Sequence, residues 1–576
     1  EVQFSRVSDY GIITMRNVKA IVFFSMVISL SLLLSACGDG LVQPISNAPT
    51  TQPGATITQL QTVTPIIPTS EPTRETLPPA VWIDPRLPEE ILHALGDSPS
   101  ILQVTSKEEA LLSLTIDPDT PISSWVYALA APFATVTDDV SSESLLAFWQ
   151  NNGDFPARVL VMPPAIFDSL KARYGSPLGD SRPLAENDLL TFCQAHQNAW
   201  AILPFEKLEP QWKVISLDRN SPIQKDFVVE NYPLTAQIGW DEGLRSVTEA
   251  EYKAANDAIA SIPPTNRQAE LLTTVILTGV TAMTRATAKE MELYGVLSPA
   301  VSIGELMRES DIAHVSNEVP FASNCPAPQW QQEVDLVFCS DDKYIDLMRE
   351  VGTDVVELTG DHFNDYGPEA MVHTLEMYQE EGWSYYGGGI NIDEAKQPLK
   401  ITHNNNKIAF LGCNAKAAGY ATASETNPGA LHCDLDELVE TIRSLKDEGY
   451  QVIFTFQHEE IYRWNPTEEM IADFHRVAEA GATIVSGSQA HQPHMLEFYG
   501  DSLIHYGLGN LFFDQLSWFE DSNKAFLDRH IFYDGKYLGV ELITVQFFNW
   551  STPTLMTPEA RAALLEKLFF ESGLTH

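Results

Sequence analysis

From Leu271 onward the chain alternates short apolar runs with stretches whose apolar residues recur every three or four positions. "DLDELVETIRSLKDEG" (434–449) puts Leu435, Leu438, Val439, Ile442 and Leu445 on one helical face and closes on Gly449. "TEEMIADFHRVAEAG" (467–481) repeats the scheme with Met470, Ile471, Phe474 and Val477. Strand–helix alternation of this kind predicts an α/β domain. Five of the apolar runs are "VILT", "IAHVS", "DVVEL", "QVIFTF" and "ATIVSG". They lead into Gly279-Val280, Asn317-Glu318, Gly360-Asp361-His362, Gln457-His458-Glu459 and Ser488-Gln489-Ala490-His491. Four of these tips carry groups able to bind a metal or move a proton. Carboxyl ends of strands in open α/β sheets form the rim where ligands bind, so residues scattered along the chain are expected to converge there.

With 576 residues, 44% of them hydrophobic, the chain can bury two or three ordinary cores. Lys plus Arg number 35 against 78 Asp plus Glu, a formal charge of −43, which argues against nucleic acid as a partner. "MRNVKAIVFFSMVISLSLLLSACGDG" supplies Arg16 and Lys19, then an apolar stretch from Ala20 to Leu34. That stretch is shorter than the ~20 residues of a membrane span. Leu34-Ser35-Ala36-Cys37 resembles the lipobox of bacterial lipoproteins, which implies cleavage before Cys37, its lipidation, and an extracytoplasmic, membrane-anchored protein starting at Met15.

Five other cysteines follow. An exported compartment permits disulfides. The nearest spacings pair Cys325 with Cys339 and Cys413 with Cys433, leaving Cys193 free; each loop would stabilise by roughly 3 kcal/mol. The organisation expected is a signal segment (15–37), a Thr/Pro-rich tether (38–80), a first α/β domain (81–245), a polar linker (246–271), a second α/β domain (272–550) and a helical tail (551–576). In the first domain, "AAPFATVTDDVSSESLLAFW" and "AILPFEKLEPQWKVISLDRNSPIQKDF" resemble parts of periplasmic solute-binding proteins of the phosphate/molybdate type. They carry no ligand motif, and Phe133 and Trp149 are read as core. "YYGGGIN" (385–391) has no following Lys-Ser/Thr and is read as a close-packing turn rather than a phosphate cradle.

"AGATIVSGSQAHQPHMLEFYGDSLIHYGLGNLFFD" (480–514), with Asn317-Glu318 and Asp361-His362-x-x-Asp365, resembles the CapA-type poly-γ-glutamate capsule-synthesis family, a branch of the calcineurin-like metallophosphoesterases. The resemblance implies a metallophosphoesterase-like α/β sandwich over about 272–550. It also implies a role in producing an anionic capsule polymer and, if the chain is active, a metal-assisted hydrolase. Glu318 would be the bridging carboxylate, and Asp361, His458, Gln489 and His491 would line the metal centre. His362 would be the general acid, oriented by Asp365. The family's opening Gly-Asp is Gly279-Val280 here, and one of its histidines is Gln489. These departures leave one divalent ion, Mn, Zn or Fe by ligand type. The same departures favour a second reading, a polymer or ligand binder without chemistry. The first domain suggests a third, a transport-associated solute receptor.

Overall fold

A computed structural model describes residues 78–574, except 97, 152, 244, 332–335, 417, 418, 420 and 516–518. Cys37, the signal segment and all but the last residues of the tether lie outside the described residues.

The expected strands and helices of the second α/β region are present. The strands Ser384–Tyr386, Val355–Glu357, Ile312–Asn317 and Leu272–Leu277 lie side by side and parallel, and the sheet continues antiparallel through Lys524–Tyr533, Lys536–Phe547 and Pro553–Leu555. A second sheet runs in the order Leu399–His403, Asn406–Asn414, Gln451–Gln457, Ile484–Gly487, Ser502–His505, Leu496–Tyr499. One apolar core joins the two sheets face to face: Val275, Leu277, Ile312 and Val355 of the first meet Ile408, Phe410, Ile453 and Ile484 of the second. Helices cover the outer faces. Arg285–Tyr294, Ile345–Glu350 and Gly367–Glu381 pack on the first sheet, Leu435–Asp447 and Glu468–Ala480 on the second.

The helices form where the sequence pattern puts them. Asp434 caps Leu435–Asp447 by accepting from the backbone N–H groups of Asp436 and Glu437, and Thr467 caps Glu468–Ala480 through Met470 N–H. Leu435, Leu438, Val439, Ile442 and Leu445 are all buried, as are Met470, Phe474 and Val477; Ile471 is half-buried. Gly481, at φ 111°, ends the second helix in a conformation that side chains resist. Each such buried side chain contributes roughly 1.5–3 kcal/mol.

A nine-stranded mixed sheet precedes this sandwich, built around Thr120–Pro132, Thr235–Glu242 and Ala199–Pro204. Phe133 and Trp149 are core, as expected. Phe133 reaches across to the sandwich, where its ring meets Phe498 and Phe569 at 5.0 and 6.0 Å. Residues 246–271, expected as a linker, contain the helix Glu249–Ala258 and pack on this nine-stranded sheet. Asn266 pairs with both backbone groups of Val126 (2.7 and 3.0 Å), and Tyr533 Oη donates to Asn266 O (2.9 Å). The tail holds the helix Pro558–Glu571, whose Arg561 bonds Asp138 of the preceding part. The described residues form one compact unit. Both expected disulfides, Cys325–Cys339 and Cys413–Cys433, are present, and Cys193 is free and buried.

"YYGGGIN" packs tightly. A Cβ on Gly387 would meet the Thr359 methyl at 2.6 Å, and Gly388–Gly389 pairs with Gly429–Ala430.

Candidate functional site

The strand tips do converge. Ile312–Asn317 delivers Glu318, and the segment after Val355–Glu357 delivers Asp361, His362 and Asp365. Gly360 allows the two tips to touch, because a Cβ there would meet Glu318 Cα at 2.7 Å. From the facing sheet come Gln457, which ends Gln451–Gln457, and Gln489, just past Ile484–Gly487. Lys416 follows the tip of Asn406–Asn414.

Glu318, Asp361 and His362 each place one ligand-capable atom within 4.8 Å of the others. Their hydrogen bonds are specific. Gln457 Nε2 donates to Glu318 Oε1 (3.0 Å) and to Asp361 Oδ1 (3.1 Å). Lys416 Nζ donates to Asp361 Oδ2 at 2.6 Å. With its oxygen turned toward Lys416 Nζ, the Gln489 amide accepts from it at 3.3 Å. His362 Nδ1 lies 2.8 Å from Asp365 Oδ2, which also accepts from Phe338 N (2.7 Å), and the Phe338 ring packs on the imidazole. His362 keeps part of its ring exposed, and with Asp361 and Lys416 it lines a cleft of about 770 Å³ that also holds Glu459 and Glu460. A larger cleft, about 1180 Å³, opens elsewhere, between Trp212 of the nine-stranded sheet and Lys446, Tyr499 and Tyr537.

Electrostatics follow from the packing. Burial raises the Glu318 carboxyl above its ordinary range, and the neighbouring Asp361 charge adds to this. Burial works against the Asp361 charge as well, but Lys416, a hydrogen bond shared with Glu318, and His362 outweigh it and hold Asp361 low. For His362 burial opposes protonation, but the Asp365 hydrogen bond and the Glu318 and Asp361 charges carry it up to about 9.

Two expected site residues stand elsewhere. His458 turns away: its Nε2 lies 3.0 Å from Asp473 Oδ2, its Nδ1 accepts from Glu459 N, and its ring packs near Phe456 and Phe474. Successive residues along a strand point to opposite faces, so Gln457, one place earlier, takes the inward position. His491 is close by but engaged and buried. Its Nδ1 bonds Asn510 Oδ1 (2.9 Å), its Nε2 is 3.7 Å from Glu460 Oε1, and burial lowers it to about 4, leaving a neutral ring. Val280 sits in an apolar cluster with Ala282, Val319, Phe338 and Phe513. The sequence reading missed Lys416, Gln457 and the buried ion pair of Arg285 with Asp514, whose guanidinium also lies over Phe338 and Phe513.

Does a divalent ion fit? Two carboxylates and an imidazole suit one by donor type. Three of the four carboxylate oxygens, however, already take N–H bonds from Gln457 or Lys416. An ammonium already lies against Asp361. The side chains present do not fit a divalent ion in this arrangement.

Residues 274–515 match the family model described as "Bacterial capsule synthesis protein PGA_cap". Over these residues the chain is similar to the CapA-type capsule-synthesis family. The chain is 25% identical over 289 residues to "Capsule biosynthesis protein CapA" of Bacillus anthracis, covering 49% of this chain and 69% of that protein. It is 25% identical over 251 residues to "PGA biosynthesis protein CapA" of Bacillus subtilis (strain 168), covering 43% of this chain and 65% of that protein. Among solved structures, a novel phosphatase from Mycoplasma pneumoniae aligns over 53% of this chain and 99% of its own, at 14% identity and a TM-score of 0.30. An ABC-type phosphate transport receptor from Vibrio cholerae aligns over 32% and 93%, at 11% identity and a TM-score of 0.26.

Proposed function

We propose that this chain acts in producing a capsule polymer of the poly-γ-glutamate kind, and that the cleft at Asp361, His362 and Lys416 handles the polymer or its precursor. The observation that carries this is the family match, which spans the strand tips that build the cleft. Cys37 anchors the protein by lipid outside the cytoplasm. The two disulfides support that address, since they persist in oxidising compartments.

The polymer is a chain of amides bearing carboxylates. Lys416 is the ammonium on the cleft lining, and His362, tied through Nδ1 to Asp365, presents Nε2 to the cleft. In hydrolysis, water oxygen bonds to the amide carbon, the C–N bond breaks, and the leaving nitrogen needs a proton. His362 gives that proton from Nε2 and recovers one from the attacking water, with Asp365 fixing the ring throughout. Asp361 is the anionic partner of Lys416.

The test uses the full-length, tag-free chain in detergent with poly-γ-glutamate. Co-sedimentation measures retention and gel electrophoresis measures polymer length. We expect retention and shortening by the wild type, and retention without shortening by His362→Gln. Neither retention nor shortening would overturn the reading. Retention without shortening by the wild type would select a pure polymer binder, which the apolar setting of Val280 and the amides of Gln457 and Gln489 favour.

A further inference from the structure

The cleft belongs to a family whose resemblance implies metal ligands, yet an amine of this chain reaches its centre. Lys416 is held there by more than one contact. Its backbone N–H donates to Asn414 Oδ1 (2.9 Å), and Asn414 Nδ2 donates to Thr359 O (2.8 Å), so the lysine's strand tip is fastened to the tip that carries Asp361. From that position Nζ lies 2.6 Å from Asp361 Oδ2 and 3.3 Å from the Gln489 amide oxygen. The side chain is only 26% exposed. Gln457 completes the arrangement with N–H groups turned toward both Glu318 and Asp361.

This is a hydrogen-bonded cation site assembled wholly from side chains. The Gln457 NH₂ turned toward these carboxylates donates to them and offers no lone pair of its own. A divalent ion between Glu318 and Asp361 would lie a few ångströms from the ammonium, and unit charges so placed in a shielded site repel strongly. Removing the ammonium alone would leave two adjacent carboxyls with a surplus of negative charge and free lone pairs.

We infer that the Lys416 ammonium is the resident cation of this site, taking the place of a divalent ion, so that the CapA-type unit works without a metal. The inference concerns the cleft assigned above but does not depend on which polymer occupies it. What enters the cleft therefore meets an ammonium and an imidazole, groups that recognise carboxylates and amide carbonyls by hydrogen bonds rather than by coordination.

The test is elemental analysis of the full-length, tag-free protein, joined to thermal unfolding and calorimetric titration with MnCl₂ and ZnCl₂. The wild type is expected to carry substoichiometric metal and to keep its Tm unchanged in EDTA. Lys416→Met keeps the stem but removes the charge. It should bind Mn²⁺ at least about tenfold more tightly than the wild type, as expected from removing a unit charge beside the ion. The gain should vanish in Lys416→Met with Glu318→Gln. One or more ions per wild-type chain, with a Tm that falls in EDTA, would overturn the inference. So would a folded Lys416→Met that binds metal no better. Should the Met variant not fold, Lys416→Gln serves in its place, and the wild-type measurement needs no variant. Loss of polymer retention by a metal-free wild type would sink the capsule reading and leave this one standing.

Discussion

Glu206 ties the stability of the nine-stranded sheet to pH. It follows the strand Ala199–Pro204, and its carboxylate accepts from Trp125 Nε1 (3.2 Å) and Asn266 Nδ2 (2.5 Å). Burial dominates and pushes its pKa from 4.5 to about 7, the two hydrogen bonds offsetting only part of the cost of the charge. Because the folded value lies above the unfolded one, the folded state binds the proton more tightly. This contribution is fully present below about pH 4.5 and is lost as pH rises through 7. The displacement corresponds to about 3 kcal/mol at alkaline pH. Glu206→Gln keeps the shape and an oxygen for Trp125 or Asn266 but cannot ionise. Urea unfolding followed by tryptophan fluorescence, at half-unit steps from pH 4.5 to 8.5, should show the wild type losing stability relative to the variant across pH 5–8. Taking the difference between the two cancels the titration of distant groups. Parallel curves would refute the reasoning and mean that water or a side-chain movement relieves the carboxylate.

Further outcomes are expected. Peptide mapping under non-reducing conditions should find Cys325 with Cys339 and Cys413 with Cys433, and replacing Cys413 and Cys433 by Ser should cost roughly 3 kcal/mol. In the same native protein Cys193 should resist alkylation, because burial holds its thiol at about 12; rapid labelling of Cys193 would contradict that burial. His458→Ala should lower stability by about 2 kcal/mol, through the lost Asp473 bond and the ring packing on Phe456 and Phe474, yet leave polymer retention untouched. Gln457→Ala should weaken retention, and the opposite pattern would return His458 to the site. Cys37→Ala should abolish lipid labelling and membrane association; persistence of both would remove the lipoprotein reading.

Periodicity and composition alone determined the layered α/β architecture. The stripe at Leu435, Leu438, Val439, Ile442 and Leu445 needs a sheet to cover it, and runs such as "QVIFTF" need burial on both faces. Cysteine spacing pointed to both disulfides, because loops that short bring their ends within reach. The convergence of Glu318, Asp361 and His362 was legible as well, since parallel strands put their carboxyl ends on one rim. Tertiary structure decided which side chain at a tip faces inward. His458 and Gln457 are neighbours, and the pleat sends them to opposite faces; only the register of Gln451–Gln457 against Asn406–Asn414 says which one reaches Asp361. Lys416 was out of view for a related reason. It sits just past a sixth strand, in a chain segment without a metal-type signature, and it acquires meaning only when that strand's tip is fastened to the tip that carries Asp361. Local pattern fixes what must be buried, whereas the identity of a site depends on distances between residues far apart in the chain, which no local pattern contains.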